Sequence, residues 1–136
     1  MTCNDLKCVA IGLAAAMAIR DFQDLEVWQL GKQLVLLTYG LSESFPAGEM
    51  YGLTSQMRRA ALSVPANVAE GFGRYHYMDR VKFVLNARGS LNELKSHLLI
   101  AQELRLVDDD PLHAACRIVE TLSVKLNNLI AKTRKA

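Results

Sequence analysis

Two groups of side chains in the middle of this chain have the types and spacing to recognise a partner. The first is basic. Arg58, Arg59, Arg74, Arg80, Lys82 and Arg88 stand against only two acidic residues, Glu70 and Asp79, over the same span. A cationic surface of this kind attracts nucleic-acid phosphates, and binding that rests on it weakens steeply with salt. The second group is polar. Gln56, Ser63, Asn67 and Glu70 fall along one side of an ideal helix, with Arg59 beside them. Such a row is a solvated face, a seam against another helix or subunit in which each group must find a partner, or a ligand site. Between these groups, Arg74 to Tyr77 (RYHY) joins basic and aromatic side chains, the composition used by proteins that bind single strands.

Catalytic and metal-binding chemistry finds less support. His76, His97 and His113 are scattered, and Glu93 precedes His97 by four residues with no second copy of the pair. A di-metal site in a helical bundle needs glutamates on facing helices and paired Glu-x-x-His motifs. No nucleophile elbow or HExxH motif is present. The run Asp108-Asp109-Asp110 precedes Pro111, and carboxylates ahead of a helix start are explained by the helix dipole. The reading is therefore a protein that is not an enzyme, with no metal site and no cofactor. The three cysteines, Cys3, Cys8 and Cys116, form no CxxC pair and are odd in number. That fits a reducing cytoplasm better than a disulfide framework.

Four apolar-periodic segments must position these groups. The first is predicted over Leu25 to Ser44, capped by Asp24, with a seam at Val27, Leu30, Leu34, Leu37 and Leu41. The second runs from Leu53 to Glu70 and buries Leu53, Met57, Ala60, Ala61, Val64 and Val68. Pro65 lies inside it and predicts a kink or local break. Gly71-Phe72-Gly73 reads as its exit. The third runs from about Met78 to Leu106 with Val84, Ala87, Leu91, Leu94, Leu98 and Ala101 inward. Gly89 sits mid-helix, which predicts close approach of another backbone. Leu85, Leu99 and Ile100 lie off that seam, as expected of a subunit contact. The fourth begins after Asp110 and runs to about Lys132, with Leu112, Ala115, Val119, Leu122, Leu126 and Leu129 inward. Short turns and no Gly/Ser-rich linker give an all-α, antiparallel up-and-down four-helix bundle as one domain over residues 21–136. A hydrophobic content of 51% with 22% charged residues suits a packed core. The net charge of +2 is too small to demand a nucleic-acid partner on its own.

Several spaced motifs also carry a family likeness. They are Phe22-Gln23-Asp24-Leu25 with Trp28, Phe45-Pro46 with Glu49, and Gly52-Leu53-Thr54-Ser55-Gln56 with Arg58-Arg59-Ala60. Ser63-Val64-Pro65-Ala66-Asn67-Val68-Ala69-Glu70-Gly71 and Gly89-Ser90-Leu91 with Glu93-Leu94 complete them. From about Asp21 to Arg134 the chain resembles the four-helix-bundle proteins encoded in 23S rRNA intervening sequences. The accessory protein of diversity-generating retroelements looks like a relative. The resemblance implies an up-and-down bundle that assembles into a homo-oligomeric ring, a pentamer, with a link to RNA or other nucleic acid and no established enzyme activity. Arg59 and Glu70 belong to its motifs; Arg80 and Lys82 do not.

Residues 1–20 differ from the rest. Val9 to Ala18 is an apolar run too short to span a membrane. It reads as an N-terminal extension or flexible tail, with Met17 as an alternative start. A helical addition to the bundle and a secretory signal are the other readings.

Overall fold

The structure, a computed structural model, describes residues 19–135. The reading of residues 1–20 as an extension thus falls almost wholly outside the described residues. Four α-helices follow one another: α1 (Glu26–Ser42), α2 (Leu53–Phe72), α3 (Tyr77–Glu103) and α4 (Asp109–Lys135). Among the described residues there is no strand. Each helix packs against the next, and α4 returns to α1. This is the expected antiparallel up-and-down four-helix bundle, and α2 with α3 is its most intimate pair.

The core forms where the periodicity places it. Met57, Ala60, Ala61, Val64 and Val68 of α2 are buried, as are Val84, Ala87, Leu91, Leu94, Leu98 and Ala101 of α3. Two seams are rotated from expectation. In α1, Leu30 and Leu37 are only half-buried, while Gly31 and Thr38 turn inward. Thr38 tolerates burial because its hydroxyl donates to the Leu34 carbonyl at 2.7 Å. In α4, Ile130 takes the buried position expected of Leu129.

Two glycines set how closely the helices approach. A Cβ on Gly31 would sit 3.3 Å from Cβ and Cδ of Pro65, so α1 lies directly on the proline ring. That contact explains the rotated seam of α1. It also places Pro65 in an unbroken α2, so the local break expected there does not occur. A Cβ on Gly71 would sit 3.0 Å from Cβ of Phe83. Gly71 is thus a packing residue between α2 and α3, and Gly73 caps the helix. Gly89, by contrast, is exposed with nothing within 4 Å of an added Cβ. The backbone approach expected there is not made within this chain.

Helix ends follow local chemistry. Asp24 does not cap α1. Its carboxylate accepts from the Arg20 and Asp21 backbone N–H groups, closing a 3-10 turn, and Leu25 stands at the cap position. α3 ends in a Schellman motif: Leu106 N–H donates to Ala101 and Arg105 N–H to Gln102. Arg105 takes the left-handed conformation, φ 57°, usually given to glycine. α4 starts at Asp109, one residue before the expected cap, which leaves Pro111 in the first turn where its missing N–H has no intrahelical use. α1 is tied to α4 by Lys125 and Glu26, 3.0 Å apart and partly exposed, a pair that contributes about 0–1 kcal/mol.

Candidate interaction surfaces

The polar row of α2 is divided by the fold. Ser63 and Asn67 are half-buried on the flank facing α3. The hydroxyls of Ser63 and Ser90 share a 2.8 Å hydrogen bond. Asn67 donates Nδ2 to the Ser63 carbonyl at 2.8 Å and to its hydroxyl at 2.9 Å. Ser63 therefore joins α2 to α3, and Asn67 braces it from within α2. Gln56 and Arg59 remain exposed, with no side-chain hydrogen bond among the described residues. Glu70 pairs with Arg74 at 3.0 Å. The Ser63–Ser90 link makes a direct expectation. Ser63→Ala should cost about 1 kcal/mol in urea unfolding, because it leaves Ser90 and Asn67 short of a partner. Ser63→Ala with Ser90→Ala should cost less than the two single changes summed.

The six basic residues are not gathered into one cluster. Arg58 lies at the α1–α2 seam, where Nε donates to the Ser42 hydroxyl at 3.0 Å and the guanidinium stacks 4.6 Å from the Tyr39 ring. Arg88 reaches α4 and donates to Asn127 at 3.2 Å. Arg74 and Arg80 meet at the α2–α3 turn, where Arg80 Nε donates to the Arg74 carbonyl at 2.6 Å. The guanidinium of Arg74 also lies 4.8 Å from the Phe83 ring. Lys82 and Arg134 line one cleft of about 390 Å³ together with Tyr77, Met78, Val81, Leu85 and Asn86. Arg80, Lys82 and Arg134 make no ion pair among the described residues. Lys132 and Lys135 share the last turn of α4 with Arg134. The sequence reading missed these three as part of a cationic end. They are distant in sequence and join it only because the up-and-down path returns α4 to the α2–α3 turn.

The opposite end carries the reverse charge. Glu43, Glu49, Glu103, Asp108, Asp109 and Asp110 lie at or between the helix ends gathered there, with Arg105 among them. Carboxylates are thus gathered at this end, while the cationic end also holds Asp21, Asp24 and Glu26 at the start of α1.

A second surface is apolar. Leu99 and Ile100 of α3 and Leu104 at its C-terminal cap are 45%, 47% and 56% exposed. With Lys95, Ser96 and Glu103 they line an open groove of about 480 Å³. α3 therefore serves two apolar faces, one buried in the bundle and one open. Leu36 of α1 and Leu62 of α2 are also exposed.

The family model for 23S rRNA-intervening sequence protein matches residues 23–128, most of the chain and all but the last turns of α4. The chain belongs to that family. No curated protein matches it. The matched span of this 23S rRNA-intervening sequence family member holds the Ser63–Ser90–Asn67 link, the Gly31–Pro65 contact and the open α3 groove, but stops before Arg134. The family is not known as an enzyme family. Among the described residues no group of three His, Cys, Asp or Glu could hold a metal. Cys116 is half-buried, and burial pushes its thiol pKa up; Glu120 adds to the rise and Lys95 opposes it. Its thiol is therefore held protonated at neutral pH, a weak nucleophile. No helix among the described residues is long and apolar enough to cross a membrane.

Proposed function

We propose that this protein is a non-enzymatic building block that assembles with copies of itself into a cytoplasmic ring, serving as a scaffold or accessory subunit. The open apolar groove of Leu99, Ile100 and Leu104 carries this reading. A cyclic assembly needs two different patches per copy, one for each neighbour. The α3 groove is one candidate, and the exposed Leu36 of α1 or Leu62 of α2 marks a candidate for the other. The family likeness points to five subunits.

Light scattering on a size-exclusion column tests it at micromolar concentration. The expected mass is a multiple of the 15.1 kDa chain, fivefold for a pentamer. Leu99→Asp with Ile100→Asp should shift the mass to that of one chain and leave helical circular dichroism unchanged. A wild-type monomer would overturn the reading.

A second reading joins the first: RNA or another nucleic acid binds the basic surface of the ring. Arg80 and Lys82, which make no ion pair among the described residues, favour it together with Arg74. Repetition around a ring multiplies a modest charge. Arg59 is exposed on α2 and stands apart from this surface, Arg88 is turned to Asn127, and Arg58 is held against Ser42 and Tyr39. RNA affinity left unchanged by Arg74→Glu, Arg80→Glu and Lys82→Glu together would remove this role and leave an assembly module that acts on protein alone.

A further inference from the structure

The cleft between the first turns of α3 and the last turn of α4 has a specific composition. Its apolar surface comes from Tyr77, Met78, Val81 and Leu85, and its cations, Lys82 and Arg134, come from different helices. Its volume is about 390 Å³. Tyr77 is 47% exposed and Met78 68% exposed. At the adjacent turn Tyr75 is 89% exposed and packs edge-on against His76, ring centroids 5.2 Å apart.

We propose that this cleft binds single-stranded nucleic acid, taking an unpaired base against Tyr77 and Met78 while Lys82 and Arg134 meet the flanking phosphates. This rests on the nucleic-acid reading above and locates it. Three features select the occupant. Among the described residues the two cations make no ion pair with a carboxylate, which suits the site to a polyanion. The aromatic ring and thioether beside them offer an apolar surface for a base, and stacking on such surfaces is tolerant of sequence. In a duplex the base faces are already stacked on one another, so only an unpaired base can enter. The carboxylates at the far end repel the same strand, although Asp21 and Asp24 at the start of α1 share the cationic end. Asp79, in the first turn of α3, is the nearest acidic residue in sequence to the cleft and sets a limit on its net charge.

The experiment uses the full chain and a fluorescein-labelled twelve-nucleotide RNA, single-stranded or annealed to its complement, read by anisotropy from 50 to 300 mM salt. The strand should bind at least tenfold more tightly than the duplex. Tyr77→Ala should weaken strand binding at least fivefold with the salt slope unchanged, and Tyr77→Phe should restore it. Lys82→Glu with Arg134→Glu should weaken binding further and flatten the slope, since phosphate contacts set it. Circular dichroism and molar mass check that each variant keeps fold and assembly. If wild type binds neither RNA at 50 mM salt, the nucleic-acid reading and this site fall together. If wild type binds but Tyr77→Ala and the Lys82/Arg134 pair bind equally well, the site alone is wrong. Equal affinity for duplex and strand, or a change of molar mass in Tyr77→Ala, would likewise overturn it, the latter by assigning the cleft to a second copy.

Discussion

Leu98→Ala is expected to lower the unfolding free energy by about 2–5 kcal/mol, while Leu99→Ala beside it stays within about 0.5 kcal/mol. The two residues share chemistry and helix and differ in burial, 0% against 45% exposed. Leu98 is enclosed among the inward residues of α3 and its neighbours, so truncation loses transfer energy and leaves a cavity that rigid helices close poorly. Domains of this size have about 5–15 kcal/mol in total, and Leu98→Ala therefore removes a large share. Urea unfolding should show the midpoint fall with the slope preserved. Leu99→Ala should register in molar mass instead, because its side chain faces the groove assigned to a neighbouring copy. A Leu98→Ala protein of wild-type stability would mean that the α3 seam is misplaced.

Gly31→Val is the second large effect, a loss of roughly 1–3 kcal/mol from overpacking alone. The atoms it would meet belong to the Pro65 ring, 3.3 Å from the position of the first added carbon. A flexible side chain would swing away. A proline ring fixed in a continuous helix can yield only if α1 and α2 separate, which would disturb the packing around Thr38 and Val64. Gly31→Ala is expected to destabilise as well, against the helix-propensity gain of about 1 kcal/mol. Gly40 and Gly89 provide the comparison, since both have open space where a Cβ would go. Alanine at either should raise stability by about 0.5–1 kcal/mol. If Gly31→Ala behaved like Gly40→Ala, the Pro65 contact would not control the helix spacing.

These contrasts show how far the sequence could be read. The α3 seam from Val84 to Ala101 is legible because its spacing stays in phase over many turns and every inward residue is apolar. The α1 seam drifted by one position because periodicity weighs leucines and ignores a glycine. Gly31 turns inward for lack of a side chain, and Thr38 follows it with a hydroxyl that bonds its own helix. The same blindness exchanged the roles of Gly89 and Gly71. A mid-helix glycine suggests close packing and a terminal one suggests a cap, yet only the neighbour's position decides, and that neighbour is Phe83, twelve residues on. The candidate surfaces were less legible still. Charge counted along the chain joined Arg58 to Arg88, although the helix path turns them toward different neighbours. Arg134 lies far from Lys82 in sequence, and only the antiparallel return of α4 makes them two sides of one cleft.

The up-and-down path has a consequence for how the chain reaches this state. Three of the four adjacent helix pairs are consecutive in sequence and joined by short turns. Only the seam between α1 and α4, with its Glu26–Lys125 pair, requires distant parts of the chain to meet. Loop-closure entropy is therefore concentrated in one event, and the remaining contacts form locally. Low contact order of this kind belongs to domains that fold in microseconds to milliseconds. If the α2–α3 hairpin, the tightest pair, forms the nucleus, changes at Leu91 or Val64 slow folding. Changes at the α1–α4 seam then leave folding nearly unaltered and shorten the lifetime of the native chain.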